Sequence, residues 1–238
     1  MAHAVFVGVP AHGHVNPTLG IVTELVRRGV RVTYHCGTPY RAAIEAAGAT
    51  FHAYAADWID VDMPHDGDVL GLARVIRAAE AKIAPALLPA LATERPDVIV
   101  HDSLASWGKT LASALRVPAV SSLTTFVFDR RVALARPLLF ARFVARHARD
   151  RVRLGEMTGL LETITNRERI NIVYTSRAFQ PFGDRLDASF VFVGPMPRDE
   201  PPLDAQLVAL QRPIYVSLGT LFNDRAGLFR TLATGLAG

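Results

Sequence analysis

Two short segments of the chain carry residues able to do proton chemistry. Ala11 to Pro17 (AHGHVNP) holds His12 and His14, and Asp97 to Asp102 (DVIVHD) ends in His101 and Asp102. An imidazole beside a carboxylate makes an oriented general base, because the carboxylate fixes the tautomer and stabilises the imidazolium formed when a proton is taken. Structural readings compete: the histidines could cap a following helix, and Asp102 could be the N-cap of the next one. A zinc site would need four ligands. His-x-His supplies two, Cys36 is the sole cysteine, and no acidic cluster completes the set, so no metal is expected.

For His14 and Asp102 to meet, the fold must bring distant segments together. His3 to Pro10 (HAVFVGVP) is a continuous apolar run, as in a strand buried on both faces of a parallel sheet. Asn16 and Pro17 read as the cap and first residue of a helix carrying Leu19, Val22, Leu25 and Val26 at helical spacing, closed by Gly29. Strands are expected at 31–36, 50–55, 97–102, 118–123, 170–175 and 190–193. Helices are expected at 39–47, from Val69 through Leu91, at 104–115, and over much of 130–167, with 57–68 a polar loop.

This alternation predicts an α/β fold, a doubly wound, Rossmann-like parallel sheet. With strand order 3-2-1-4-5 the winding reverses between strands one and four, where such sheets bind ligands beyond their carboxyl ends. That reversal is where His14 and Asp102 would converge. His14 would then feel a helix N-terminus, which favours the neutral ring, and a carboxylate, which favours the charged one. A nicotinamide site is disfavoured: Gly13 and Gly20 do not make G-x-G-x-x-G, and strand two ends in His35-Cys36-Gly37 where an acid would be needed.

Composition bounds the rest. The 238 residues are 50% hydrophobic and 20% charged, which excludes a disordered chain, a collagen-like repeat and a disulfide scaffold. Apolar stretches break well before the ~20 residues of a membrane span. Met1 to Pro10 lacks a basic leader, and one cysteine fits a reducing compartment, so the expected location is cytoplasmic. A net charge of +4 is too small to argue for nucleic acid. Eight arginines between Arg130 and Arg153, against Asp150 alone, read as a solvated helical face.

Residues 1–195 are expected to form one domain and 196–213, rich in proline and charge, a linker. Ile214 to Leu218 (IYVSL) reads as a buried strand opening a second domain over 214–238. A strand and half a helix bury no core of their own, so this part is expected to be a truncated beginning.

FVGVPAHGHVNPTLGIVTELVRRGVRVTY resembles the opening of family 1 glycosyltransferases, especially the bacterial macrolide and natural-product type. DVIVHDSLASWGKTLASALRVPAV, INIVYTSRAFQP, SFVFVGP and IYVSLGT resemble later landmarks of that family, in its order and across essentially the whole chain. The resemblance implies a GT-B architecture with this chain as its acceptor-binding half. It implies inverting, metal-independent transfer from a nucleotide sugar to a hydroxyl, with His14 as base and Asp102 orienting it. Gly13, Ser217, Gly219 and Thr220 would face the donor. By position, Trp58, Met63, Phe126 and Phe128 are candidates for an apolar acceptor pocket suited to a macrolide, polyketide or aromatic aglycone. The bulk of the donor-binding domain would be missing, so the chain alone is expected to be inactive, with a homodimer or partner chain conceivable. A non-catalytic acceptor-binding or auxiliary subunit of a split enzyme is the alternative; a free-standing nucleotide or flavin protein is a distant third.

Overall fold

The computed structural model describes residues 1–54, 69–127, 131, 137–138, 141, 145, 166–196, 205–218 and 225–236. The chain divides into two compact units, Met1–Pro197 and Arg198–Gly238.

The first unit is built on β1 (His3–Val7), whose five residues are all buried. α1 (His12–Arg27), β2 (Arg31–Cys36), a 3-10 turn (Thr38–Tyr40), α2 (Arg41–Ala46) and β3 (Thr50–Ala53) follow. Next come α3 (Val69–Glu94), β4 (Val98–Asp102), α4 (Ser106–Leu115), β5 (Ala119–Leu123), β6 (Asn171–Val173) and β7 (Phe190–Phe192). All seven strands are parallel in the order β3-β2-β1-β4-β5-β6-β7. The expected order holds, and the sheet continues through β6 and β7. The winding reverses between β1 and β4, which pair from Ala4↔Val98 to Val7↔His101.

Each strand turns alternate side chains to opposite faces, and both faces of the central strands are covered. Val5, Val7 and Ile99 pack under α3 and α4, against Ile76, Ile83, Leu87, Trp107 and Leu111. Ala4, Phe6 and Val100 pack under α1 and α2, against Val15, Leu19, Val22 and Ile44. Each fully buried Val, Leu or Ile contributes about 1.5–3 kcal/mol, so two covered faces hold the central strands firmly. The same alternation separates His101, on the α4 face, from Asp102, on the α1 face.

Three expectations are corrected. α1 begins at His12 rather than Asn16–Pro17, because the amides of His14 and Val15 both reach the Ala11 carbonyl. Pro17 sits inside the helix at the cost of one backbone bond, its fixed φ being already helical. α4 begins at Ser106 rather than Leu104, with Ala105 at its N-cap. Ile214–Leu218 forms no strand: it has no ladder partner among the described residues, and Ile214 and Tyr215 are exposed. A strand exists only by pairing, and an apolar run alone does not supply the partner. In that second unit, helices span Ala205–Val208 and Ala226–Leu236. Gly29, at φ +79°, takes up the left-handed backbone expected at the end of α1.

Candidate functional site

The loop from β1 into α1 is fixed before it delivers any chemistry. The Tyr54 hydroxyl donates to the Gly8 carbonyl at 2.7 Å and accepts from Trp107 Nε1 at 3.3 Å. The Gly8 amide donates to the His35 carbonyl at 3.0 Å. A Cβ on Gly8 would stand 2.8 Å from Tyr34 Cε1, so only glycine lets the chain pass over that ring. α1 therefore starts from a clamped point, with His14 in its first turn.

His14 and Asp102 converge there. His14 Nδ1 lies 2.8 Å from Asp102 Oδ2, with the two side chains 12% and 3% exposed. The carboxylate only accepts, so the favourable arrangement has Nδ1–H donating to Oδ2 and leaves a lone pair on Nε2. Nε2 takes no hydrogen bond from any described residue. Burial opposes charge on this imidazole, but the Asp102 charge and its hydrogen bond outweigh burial, and the His14 pKa is raised.

Asp102 is itself anchored. Its Oδ1 accepts the Leu104 amide at 2.8 Å, a local turn contact, and the competing N-cap reading does not hold because Ala105 caps α4. Thr124 was not foreseen. Its hydroxyl lies 3.0 Å from His14 Nδ1 and 3.4 Å from Asp102 Oδ2. The signal available was position: Thr124 follows β5, and Asp102 pairs with Ser122 two residues earlier, so strand alternation puts all three on one face. Beside them Ser122 and the Tyr174 hydroxyl lie 3.1 Å apart, and burial pushes the Tyr174 pKa up.

His12 and His101 part from this site. His12 is exposed, with its ring edge-on to Tyr40 at 5.1 Å. His101 is fully buried, with Nδ1 3.1 Å from the Asp102 carbonyl and Nε2 3.4 Å from Glu168 Oε1. A Cβ on Gly108 would come within 2.3 Å of His101 Cβ, so α4 presses onto that histidine through a glycine. Among the described residues no group of three or more His, Cys, Asp or Glu could hold a metal ion.

Of the residues expected to face ligands, Gly13 is exposed, and a Cβ there would meet nothing within 4 Å. Phe126 is 49% exposed and pairs with Phe179 at 5.5 Å between ring centroids. Ser217 is exposed in the second unit. Trp58, Met63, Phe128, Gly219 and Thr220 lie outside the described residues, as does most of the arginine-rich 130–153 stretch.

A doubly wound sheet with a histidine–carboxylate pair at its winding reversal is the setting in which the comparisons with known proteins fall. No family profile matches the chain. It is 31% identical to the demethyllactenocin mycarosyltransferase of Streptomyces fradiae over 259 residues, 97% of this chain and 55% of that protein. With the NDP-glycosyltransferase YjiC of Bacillus licheniformis it shares 28% over 235 residues, 93% of this chain and 59% of the relative. The crystal structure of CalG4, the calicheamicin glycosyltransferase, superposes with a TM-score of 0.65 at 28% identity, covering 82% of this chain and 53% of that one. Bacterial macrolide and natural-product glycosyltransferases are thus among the chain's homologues, and its fold is that of the glycosyltransferase structures it matches. The chain spans 55–62% of the length of the first relatives it matches.

Proposed function

We propose that this chain is the acceptor-binding half of an inverting, metal-independent O-glycosyltransferase. Such an enzyme moves a sugar from a nucleoside diphosphate to a hydroxyl of a hydrophobic natural product. The observation that supports it most is the commitment of His14 Nδ1 to Asp102 while Nε2 accepts nothing from the described residues. Nε2 would take the acceptor hydroxyl proton as that oxygen bonds to the anomeric carbon and the bond to the diphosphate breaks. Asp102 would stabilise the imidazolium, which later yields its proton to solvent. The open space above Gly13, at the N-terminus of α1, suits an approaching diphosphate whose charge backbone amides can meet without a metal.

Ser217, Gly219 and Thr220 are the proposed donor contacts, and Trp58, Met63, Phe126 and Phe128 the proposed acceptor wall. A cytoplasmic location accords with the single cysteine. Among the described residues no helix is long and apolar enough to cross a membrane. The test is a mass-spectrometric screen of nucleotide sugars against hydroxylated macrolides and aromatic aglycones. It is run with the 238-residue chain and with a chain extended to the length of its relatives. Glycosylated product from the extended chain alone is the expected result. No product from the extended chain on any acceptor it binds would favour a non-catalytic acceptor-binding subunit.

A further inference from the structure

We infer that Thr124 is a positioning residue for the His14–Asp102 pair, its hydroxyl bridging Nδ1 and Oδ2 so that the imidazole keeps the one orientation that leaves Nε2 open. A single hydrogen bond, from Nδ1–H to Oδ2 at 2.8 Å, fixes a direction but lets the ring rock about that line. A second oxygen 3.0 Å from the same nitrogen and out of line with the first removes that freedom. The one Nδ1–H is shared between Oδ2 and a lone pair of the Thr124 oxygen, while the Thr124 O–H points at Oδ2.

Asp102 is then held from two sides, Oδ1 by the Leu104 amide and Oδ2 by Nδ1–H and Thr124. Thr124 suits this task because it is β-branched, and therefore stiff at χ1. It also follows a strand laddered to β4 on one side and β6 on the other. Its neighbour Thr125 is exposed, so alternation selects the first threonine of the pair.

The inference rests on the reading of His14 as the base, and its test is chosen to fail separately from that reading. In the isotope-labelled 238-residue chain, exchange of the His14 Nδ1 proton with water is followed by NMR, with thermal unfolding as a check on the fold. Thr124→Val should speed that exchange about 5-fold, the factor expected for one lost net hydrogen bond. Thr124→Ser, which keeps the hydroxyl, should restore most of the protection. Should Thr124→Val not fold, Thr124→Ala takes its place. In the extended enzyme the same substitution should lower kcat and leave the acceptor KM unchanged. Unchanged exchange in Thr124→Val, or equal loss in the valine and serine variants, would overturn the bridging role. Neither outcome depends on whether the chain turns over a sugar.

Discussion

Two histidines at opposite rims of one sheet show how partners decide what an imidazole can do. His3 opens β1 at the amino-terminal rim. Arg31 Nη2 donates to its Nδ1 at 2.7 Å, which places the ring proton on Nε2, 2.8 Å from Thr33 Oγ1. Burial first and the Arg31 charge second hold its pKa low, although Glu94 and Asp97 pull it up. His14, at the carboxyl rim, has a partner that only accepts, a raised pKa and one nitrogen left over. Both rings are enclosed and both lie near acids. A donor at one nitrogen ties up the ring's lone pair, whereas an acceptor there leaves the lone pair on the opposite nitrogen.

The largest effect should separate the two rims directly. In an active, extended enzyme, His14→Ala should lower kcat by about 10²–10⁴-fold with little change in acceptor binding. His3→Gln should leave kcat near normal and lower the melting temperature. Similar kcat values for the two variants would erase the distinction. Next in size comes Asp102→Asn. The amide can still accept the Leu104 N–H, but if its NH2 turns toward Nδ1 it forces the proton onto Nε2. A fall in kcat of about 10²-fold, with the chain still folded by circular dichroism, is expected.

A third histidine extends the contrast to stability. His35 in β2 is buried, stacked on His52 at 5.2 Å, and neither ring nitrogen has a hydrogen-bond partner among the described residues. Burial, with the nearby His52 and His3, pushes its pKa down to about 4 from 6.5. Between those values the unfolded chain binds a proton that the folded chain refuses. Stability should therefore fall as pH drops from 6.5 toward 4, by up to about 3 kcal/mol, and level off below. His14 works in the opposite sense, contributing stability at low pH that is lost as pH rises through its raised pKa. Urea unfolding across this range, for the wild type and His35→Leu, checks the first; the leucine variant should show a flatter profile. An unchanged slope would assign the acid lability elsewhere.

How much of this could be read beforehand follows from the kind of signal each residue carries. Buried parallel strands are continuous apolar runs, so β1, β2, β4 and β5 and their order were legible, and with them the meeting of His14 and Asp102. The start of α1 was not. Asn16 and Pro17 carry a local capping signal, but the helix begins where Ala11 accepts the first amides beyond a loop that Tyr54 clamps. Thr124 was harder to read, because its position after β5 separates it from the adjacent Thr125 only once the β4–β5 register is known. Ile214–Leu218 erred in the other direction, since an apolar run states what can be buried and not what will cover it.

The smallest expected effect bears on the structural rim alone. Arg31→Met removes the donor to His3 Nδ1 and keeps a long apolar stem. Losing that bond and the exposed one to the Glu94 carbonyl at 3.3 Å should cost about 1 kcal/mol, read as a small drop in the urea midpoint. The more telling change is in titration. Without the guanidinium, burial must hold the His3 pKa down alone against Glu94 and Asp97, so by NMR it should move up toward that of an ordinary histidine. With Nδ1 freed, His3 would then resemble His14 in having an acid nearby and an uncommitted nitrogen, yet stand at the rim away from the winding reversal. If activity in the extended enzyme is untouched while His3 titrates more like His14, placement at the carboxyl edge, and not basicity alone, is what makes an imidazole useful here. If His3 does not shift, Arg31 is not what holds that ring in its structural role.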